Sequence, residues 1–264
     1  MDQVLLSANT NNIEACAGLA ADYGLGVEVM AFAFPDVLDG NWQQMVQMHK
    51  HVLRDVPGPL TMHGPFMDMA PGSPDSRINA VCMTRYQHAI HIAAELGARK
   101  IVFHANFIAA IHNLAYRSDW HRRNVSFWRV ISDYAQQRGV VIAVENMWEF
   151  DPSLIGDVLE EVNHPNCQAC LDIGHARLYG PDYDFETWLM TFEPWLTHVH
   201  INNTNGKLDT HNSLDDGIID YHLVLDRLRG LETPPTITLE MYDVQQMEAS
   251  LPYFQLEDAE VRQE

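Results

Sequence analysis

Three short stretches carry side chains whose types and spacing suit metal chemistry. C-L-D-I-G-H spans 170 to 175, H-V-H-I-N-N spans 198 to 203, and L-D-T-H spans 208 to 211. Asp172 and His200 each close an apolar run, His175 stands three residues past the first, and Asp209 and His211 form D-x-H in the stretch after the second. Neutral imidazoles and carboxylates are the groups that hold zinc, manganese or iron, in sites that gather ligands from several converging elements. His63, His104, Glu145 and Glu240 close further apolar runs in the same way. Four carboxylates, Glu145, Asp172, Asp209 and Glu240, would repel one another at close range unless cations stood between them.

The elements that must position these residues alternate regularly. Strand candidates are Gln3 to Ser7, Gly26 to Met30, Leu60 to His63, Lys100 to His104, Val140 to Glu145, Gln168 to Asp172, Thr197 to Ile201 and Thr236 to Glu240. Helical periodicity covers Asn12 to Tyr23, Asn41 to Leu53, Ser76 to Leu96, Trp120 to Arg138, Ser153 to Val162, Phe185 to Phe192, Tyr221 to Leu228 and Val244 to Tyr253. Gly24, Gly97, Gly139 and Gly230 follow helical stretches where a left-handed residue is wanted. Eight strand-helix units predict an α/β chain of the (β/α)8 TIM-barrel class, one domain over residues 1–255 with a charged, frayed tail at 256–264. That class places its chemistry at the C-terminal ends of the strands. Strands three to eight end on His63, His104, Glu145, Asp172, His200 and Glu240. With 14 His and 36 Asp plus Glu among 264 residues, chance does not explain six such endings in a row.

Composition narrows the partners. The formal net charge of -20 disfavours a nucleic-acid partner, because phosphate neutralisation needs a basic face. Four scattered cysteines (Cys16, Cys82, Cys167, Cys170) do not make a disulfide framework, and neither a signal peptide nor a membrane span is visible, so the expected location is the cytoplasm. P-loop, G-x-G-x-x-G and G-x-S-x-G motifs are missing, which leaves nucleotide-cofactor and serine-hydrolase readings without support.

Taken in order, H-G-P-F at 63 to 66, E-L-G-A-R-K-I-V-F-H at 95 to 104, V-E-N at 144 to 146, L-D-I-G-H at 171 to 175, H-V-H-I at 198 to 201, L-D-T-H at 208 to 211 and L-E at 239 to 240 resemble the xylose-isomerase-like barrels. That group includes sugar isomerases and epimerases, inosose-processing enzymes and endonuclease IV. Resemblance to the tagatose-type epimerases implies one divalent ion on Glu145, Asp172, His200 and Glu240, the two glutamates also exchanging protons with the sugar. Resemblance to endonuclease IV implies two further zinc ions, one on His63, His104 and a shared Glu145, the other on His175, Asp209 and His211. The epimerases usually carry an arginine in R-x-x-P-G where this chain reads H-N-S-L-D-D-G from His211, a departure that agrees with the nuclease.

The leading expectation is a divalent-metal-dependent isomerase or epimerase of a sugar, sugar phosphate or polyol, using one to three ions of zinc or manganese, with Glu145 and Glu240 as base and acid. The alternative is a multinuclear zinc phosphoesterase of the endonuclease IV kind. A barrel that binds metal and a metabolite without turnover is the third reading. Phe66 and Trp148 are candidates to stack on a sugar face and Lys207 to meet an anionic group, set against rim packing for the aromatics and a solvated charge for the lysine. Oligomeric state stays open. Glu28 is expected to contact substrate or support a ligand, and His198, sharing a strand face with His200, to be a supporting partner or a core histidine. Cys170 reads as buried packing, and His49, His51, His88 and His91 as surface or packing residues.

Overall fold

The computed structural model describes residues 1–111 and 113–256. Eight parallel strands close into one barrel in sequence order. They are β1 (Val4–Ala8), β2 (Gly26–Val29), β3 (Leu60–His63), β4 (Lys100–His104), β5 (Val141–Glu145), β6 (Cys167–Asp172), β7 (Leu196–Ile201) and β8 (Thr236–Leu239). Outside them lie α1 (Ile13–Tyr23), α2 (Pro35–Asp39), α3 (Trp42–Val52), α4 (Ser76–Leu96), α5 (Leu114–Gln136), α6 (Ser153–Val162), α7 (Ile173–Tyr179), α8 (Phe185–Phe192), α9 (Tyr221–Arg229) and α10 (Val244–Ser250). Among the described residues, no helix is long and apolar enough to cross a membrane.

The structure departs from the expected elements at instructive points. α5 starts at Leu114 rather than Trp120, because Asn113 caps it by accepting from the backbone N–H of Ala115 and Tyr116. The helix expected to run to Tyr253 ends at Ser250 and tightens into a 3-10 turn over Leu251–Tyr253 at Pro252. Gly24, Gly97 and Gly139 have the left-handed backbone, but Gly230 does not: at φ -77 it ends α9 by donating back to Asp226 and Arg227. Two short helices, α2 and α7, have no counterpart among the elements expected from the sequence. The tail beyond Leu256 lies outside the described residues.

Apolar burial falls mainly between the strands and the helices, where Trp128, Trp188, Tyr86, Phe103 and Phe192 are among the bulkiest buried side chains. The barrel interior is different. Among the described residues, Val102, Ala143 and Cys170 form a small separate apolar cluster, and Glu28, Thr61, His198 and Thr238 are buried polar groups of the strands. Burying these without partners would cost several kcal/mol each, so their hydrogen bonds are a structural requirement.

Two motif glycines permit close approach. A Cβ on Gly64 would lie 2.1 Å from the Phe103 ring, and one on Gly174 would lie 2.5 Å from the Asn202 side-chain oxygen. H-G-P-F and D-I-G-H therefore need glycine so that the loop after β3 and the first turn of α7 can sit against the barrel rim.

Candidate metal centre

Strand ends supply most of the ligand-type atoms. In the β4–β5 and β6–β7 ladders, His104 stands opposite Glu145 and Asp172 opposite His200, so parallel pairing alone brings these side chains to one rim. α7 adds His175. Asp172 is its N-cap, accepting from the His175 backbone N–H at 2.5 Å, which fixes a strand-end carboxylate and the first-turn histidine as one unit. Asp209 and His211 come from the loop after β7. His211 adopts a left-handed backbone at φ 49, and its loop is pinned by the Asn203–Asn212 bridge.

All nine sequence-predicted ligands converge. Their ligand atoms form three groups, His63–His104–Glu145, His175–Asp209–His211 and Glu145–Asp172–His200–Glu240, each lying within 4.8 Å of its own members. His63 Nε2 and His104 Nε2 approach Glu145 Oε2 at 3.4 and 3.1 Å. His200 Nδ1 lies 3.2 Å from Glu145 Oε1 and 3.3 Å from Glu240 Oε2. His175 Nε2 and His211 Nε2 each lie 3.2 Å from opposite oxygens of Asp209. Glu145 thus joins two groups, one through each oxygen.

Backbone carbonyls set which imidazole nitrogens are free. Nδ1–H donates to the Gly64 carbonyl from His63 (2.8 Å), to the Asn146 carbonyl from His175 (3.1 Å) and to the Glu240 carbonyl from His211 (2.6 Å). A carbonyl only accepts, so in the neutral rings Nε2 is left bare and points at a carboxylate. Two bare acceptors facing one another need either a proton or a metal ion between them. The same demand appears at the carboxylates: Glu145 Oε2, Glu240 Oε2 and Asp209 Oδ1 are buried and accept no hydrogen bond. The donor set of imidazoles and carboxylates fits divalent zinc or manganese.

Without such ions, protons must take their place, and the titration behaviour says so. Burial works against charge throughout. Asp172 is pushed by burial up to about 7 despite His175 beside it. Burial would also raise Glu145, but the His200 and His104 imidazoles hold it well below the usual range. Glu240, against the same burial, is held by His200 and His211 at about 2. His211, which burial would lower, is raised by Asp209 and Glu240 to about 9.

Supporting groups complete the frame. Asn146 accepts from the Asp172 N–H and donates to its carbonyl, both at 2.9 Å. Glu28, fully buried on β2, accepts from His200 Nε2 at 3.0 Å, and His198 from the same face of β7 donates to Glu28 at 2.7 Å. Asn146 lies inside the V-E-N motif, but nothing in the sequence separates its role from packing.

A cleft of about 320 Å³ opens over the centre. Phe66 lines it, with its ring 5.4 Å from the His63 ring and 5.1 Å from the His104 ring. Trp148 is 44% exposed, Lys207 is exposed, and neither is among the residues lining this cleft. The remaining walls are Met30, Phe34, Met67, Met147, Met241 and Tyr242, none of which the sequence singles out. Ser7 and Asn9 add neutral polar groups, and Glu240 reaches the cleft whereas Glu145 lies beneath it.

The AP_endonuc_2 family model, described as xylose isomerase-like TIM barrel, matches residues 17–259. Uncharacterized protein MJ1311 of Methanocaldococcus jannaschii is 27% identical over 187 residues, covering 69% of this chain but only 64% of that relative's own length. The TTHB071 protein from Thermus thermophilus, solved after soaking with ZnCl2, is 27% identical with a TM-score of 0.79 and 96% of each chain covered. A D-tagatose 3-epimerase-like protein aligns with a TM-score of 0.75 at 21% identity over 94% of each chain, a likeness of fold. The fold and the matched model agree, and this chain belongs to the xylose isomerase-like TIM barrel family.

Proposed function

We propose that the protein is a divalent-metal-dependent isomerase or epimerase acting on a small sugar-like molecule. The observation that carries this reading is the tetrad Glu145, Asp172, His200 and Glu240 beneath a cleft that one of its glutamates reaches. When bound there, a divalent ion supplies a Lewis acid that polarises a carbonyl and its neighbouring hydroxyl and so acidifies the adjacent C–H. Asp172 and His200 would hold the ion from fixed positions, Asp172 fixed through its α7 cap and Asn146, His200 through Glu28. Glu240, which lines the cleft, is the residue placed to take and return a proton on carbon. Glu145 faces the same His200 nitrogen as Glu240 and is the second carboxylate available for the opposite half of the transfer.

The cleft suits such a substrate. Phe34, Phe66 and Tyr242 offer aromatic faces to the C–H side of a ring, Ser7 and Asn9 offer polar contacts, and no Lys or Arg is among the lining residues to anchor a phosphate. The fold likeness to a D-tagatose 3-epimerase-like protein supports the same class.

One observation favours a second reading, phosphoester hydrolysis at a multinuclear centre. Both Glu145 oxygens are surrounded by imidazoles, Oε2 by His63 and His104 and Oε1 by His200 and His175, so a Glu145 that bridges ions has no oxygen left for a substrate proton. The two readings separate in deuterium oxide. Zinc- or manganese-loaded protein incubated with ketoses and followed by proton NMR is expected to exchange one carbon-bound hydrogen, and Glu240→Gln to abolish that exchange with an unchanged melting curve. No exchange with any ketose, together with cleavage of a phosphoester by the same preparation, would overturn the isomerase assignment.

A further inference from the structure

A line of buried polar groups runs from the metal centre down through the barrel to its opposite end. Lys100 starts β4 at the N-terminal rim, and its Nζ reaches across the interior to the Thr197 carbonyl at 2.6 Å and to Thr236 Oγ1 at 2.9 Å. Thr236 Oγ1 lies 2.5 Å from His198 Nδ1. His198 Nε2 lies 2.7 Å from Glu28 Oε2, and Glu28 Oε1 lies 3.0 Å from His200 Nε2. His200 then faces Glu145 and Glu240 with Nδ1. Glu28, His198 and His200 are fully buried, so water does not interrupt the line at these members.

The direction of every hydrogen in this line follows from its two fixed members. A lysine ammonium only donates, so Thr236 accepts from Lys100 and must place its own single hydrogen elsewhere. The Thr197 carbonyl lies 3.3 Å from Thr236 Oγ1 against 2.5 Å for His198 Nδ1, and the shorter contact assigns the hydroxyl hydrogen to His198. A neutral His198 then carries its hydrogen on Nε2 and donates to Glu28. Glu28 also receives the hydroxyls of Thr61 (2.8 Å) and Thr238 (2.9 Å), so its carboxylate is surrounded by donors and has acceptor capacity only. His200 must therefore donate from Nε2, and its Nδ1 lone pair is the one turned to the metal centre. His63, His175 and His211 achieve the converse with backbone carbonyls, presenting Nε2.

We propose that Lys100, Thr236, His198 and Glu28 form a positioning relay that locks His200 in the Nδ1-coordinating tautomer, so that a cation at the foot of the barrel governs metal affinity at its mouth. The inference rests on the metal-centre reading above. None of these residues touches substrate; Glu28 acts through His200, and Lys100 acts through three intermediates.

The test uses the full chain labelled with 15N-histidine, zinc as the only added ion, and long-range proton–nitrogen NMR at neutral pH. In the wild type, His198 is expected to be protonated on Nε2 and, with zinc, His200 to be coordinated through Nδ1. Glu28→Gln is expected to weaken one zinc equivalent roughly 10- to 100-fold in a competitive chelator titration, leaving the others within about twofold. Lys100→Met is expected to mix the His198 tautomers and weaken the same equivalent about tenfold, while Lys100→Arg, which keeps a donor, restores both. His198 protonated on Nδ1 in the wild type, or a Lys100→Met protein with unchanged His198 tautomer and unchanged zinc affinity, overturns the relay. If the wild type binds no zinc, the metal-centre reading falls and takes the effect on metal affinity with it, whereas His198 protonated on Nδ1 in a zinc-binding wild type overturns the relay alone. The wild-type spectrum also decides it if a variant fails to fold.

Discussion

His211 is the residue at which the two chemical readings part. Its Nδ1 is committed to the Glu240 carbonyl and its Nε2 to Asp209, so it serves the His175–Asp209–His211 group and not the tetrad. His211→Ala is therefore expected to remove one metal equivalent, measured by plasma mass spectrometry, and to reduce turnover severalfold at most if the tetrad alone suffices. A loss of a thousandfold or more would require the full cluster. The titration of His211 adds a pH signature. In the metal-free protein its pKa is raised to about 9, so below that pH an incoming ion must displace a proton. Affinity at this group should climb as pH rises toward 9 and level off above it, with proton release visible by calorimetry in buffers of different ionisation enthalpy. A pH-independent affinity between 7 and 9 would contradict that assignment.

At the scale of the element, α7 shows how a short helix turns sequence proximity into ligand geometry. Asp172 ends β6 and caps α7 in the same position, so the strand end and the helix start cannot move apart. Gly174 lets the first turn lie against Asn202, and a Cβ there would come within 2.5 Å of its side-chain oxygen. Gly174→Ala should cost roughly 1–3 kcal/mol through this overlap and displace His175, lowering zinc stoichiometry as well as the melting temperature. A variant with wild-type stability and full metal content would show that the contact is relaxed without effect. α7 could not be found from periodicity, because seven residues are too few to display an amphipathic face. The strands that carry His63, His104, Glu145, Asp172 and His200 were legible because apolar runs ending on ionisable residues are rare outside such sites. Glu240 stands one residue past β8, yet still donates its N–H to Ile201, continuing the ladder that the sequence suggested. Cleft walls such as Met147 and Met241 were not legible, since a methionine after a strand carries no pattern that separates lining from packing. The link from Lys100 to Glu28 was out of reach for another reason: it crosses the barrel, and sequence order says nothing of which inward side chains meet there.

The net charge of the whole molecule argues against a duplex DNA substrate. The net charge is -20, and many of the basic side chains are held by local carboxylates: Arg85 by Asp39, Arg117 by Asp151, Arg227 by Glu186 and Arg229 by Asp2. Lys100, partly buried in the barrel, is lowered by desolvation to about 8 and offers nothing to a phosphate backbone. Binding to a duplex gains most of its affinity from counterions released by Lys and Arg, and a net charge of -20 works against that gain. Zinc-loaded protein mixed with a fluorescent duplex carrying an abasic site should therefore bind more weakly than about 10 µM at 0.15 M salt, with a shallow salt dependence. A small phosphorylated ligand differs, because the metal ions themselves would attract its phosphate without help from a basic surface. That difference gives the anisotropy measurement its meaning. Weak, shallow binding leaves the metal centre to small molecules that fit a 320 Å³ cleft, whereas submicromolar binding that falls steeply with salt would mean that the duplex finds a basic surface, and the phosphoesterase reading would then lead.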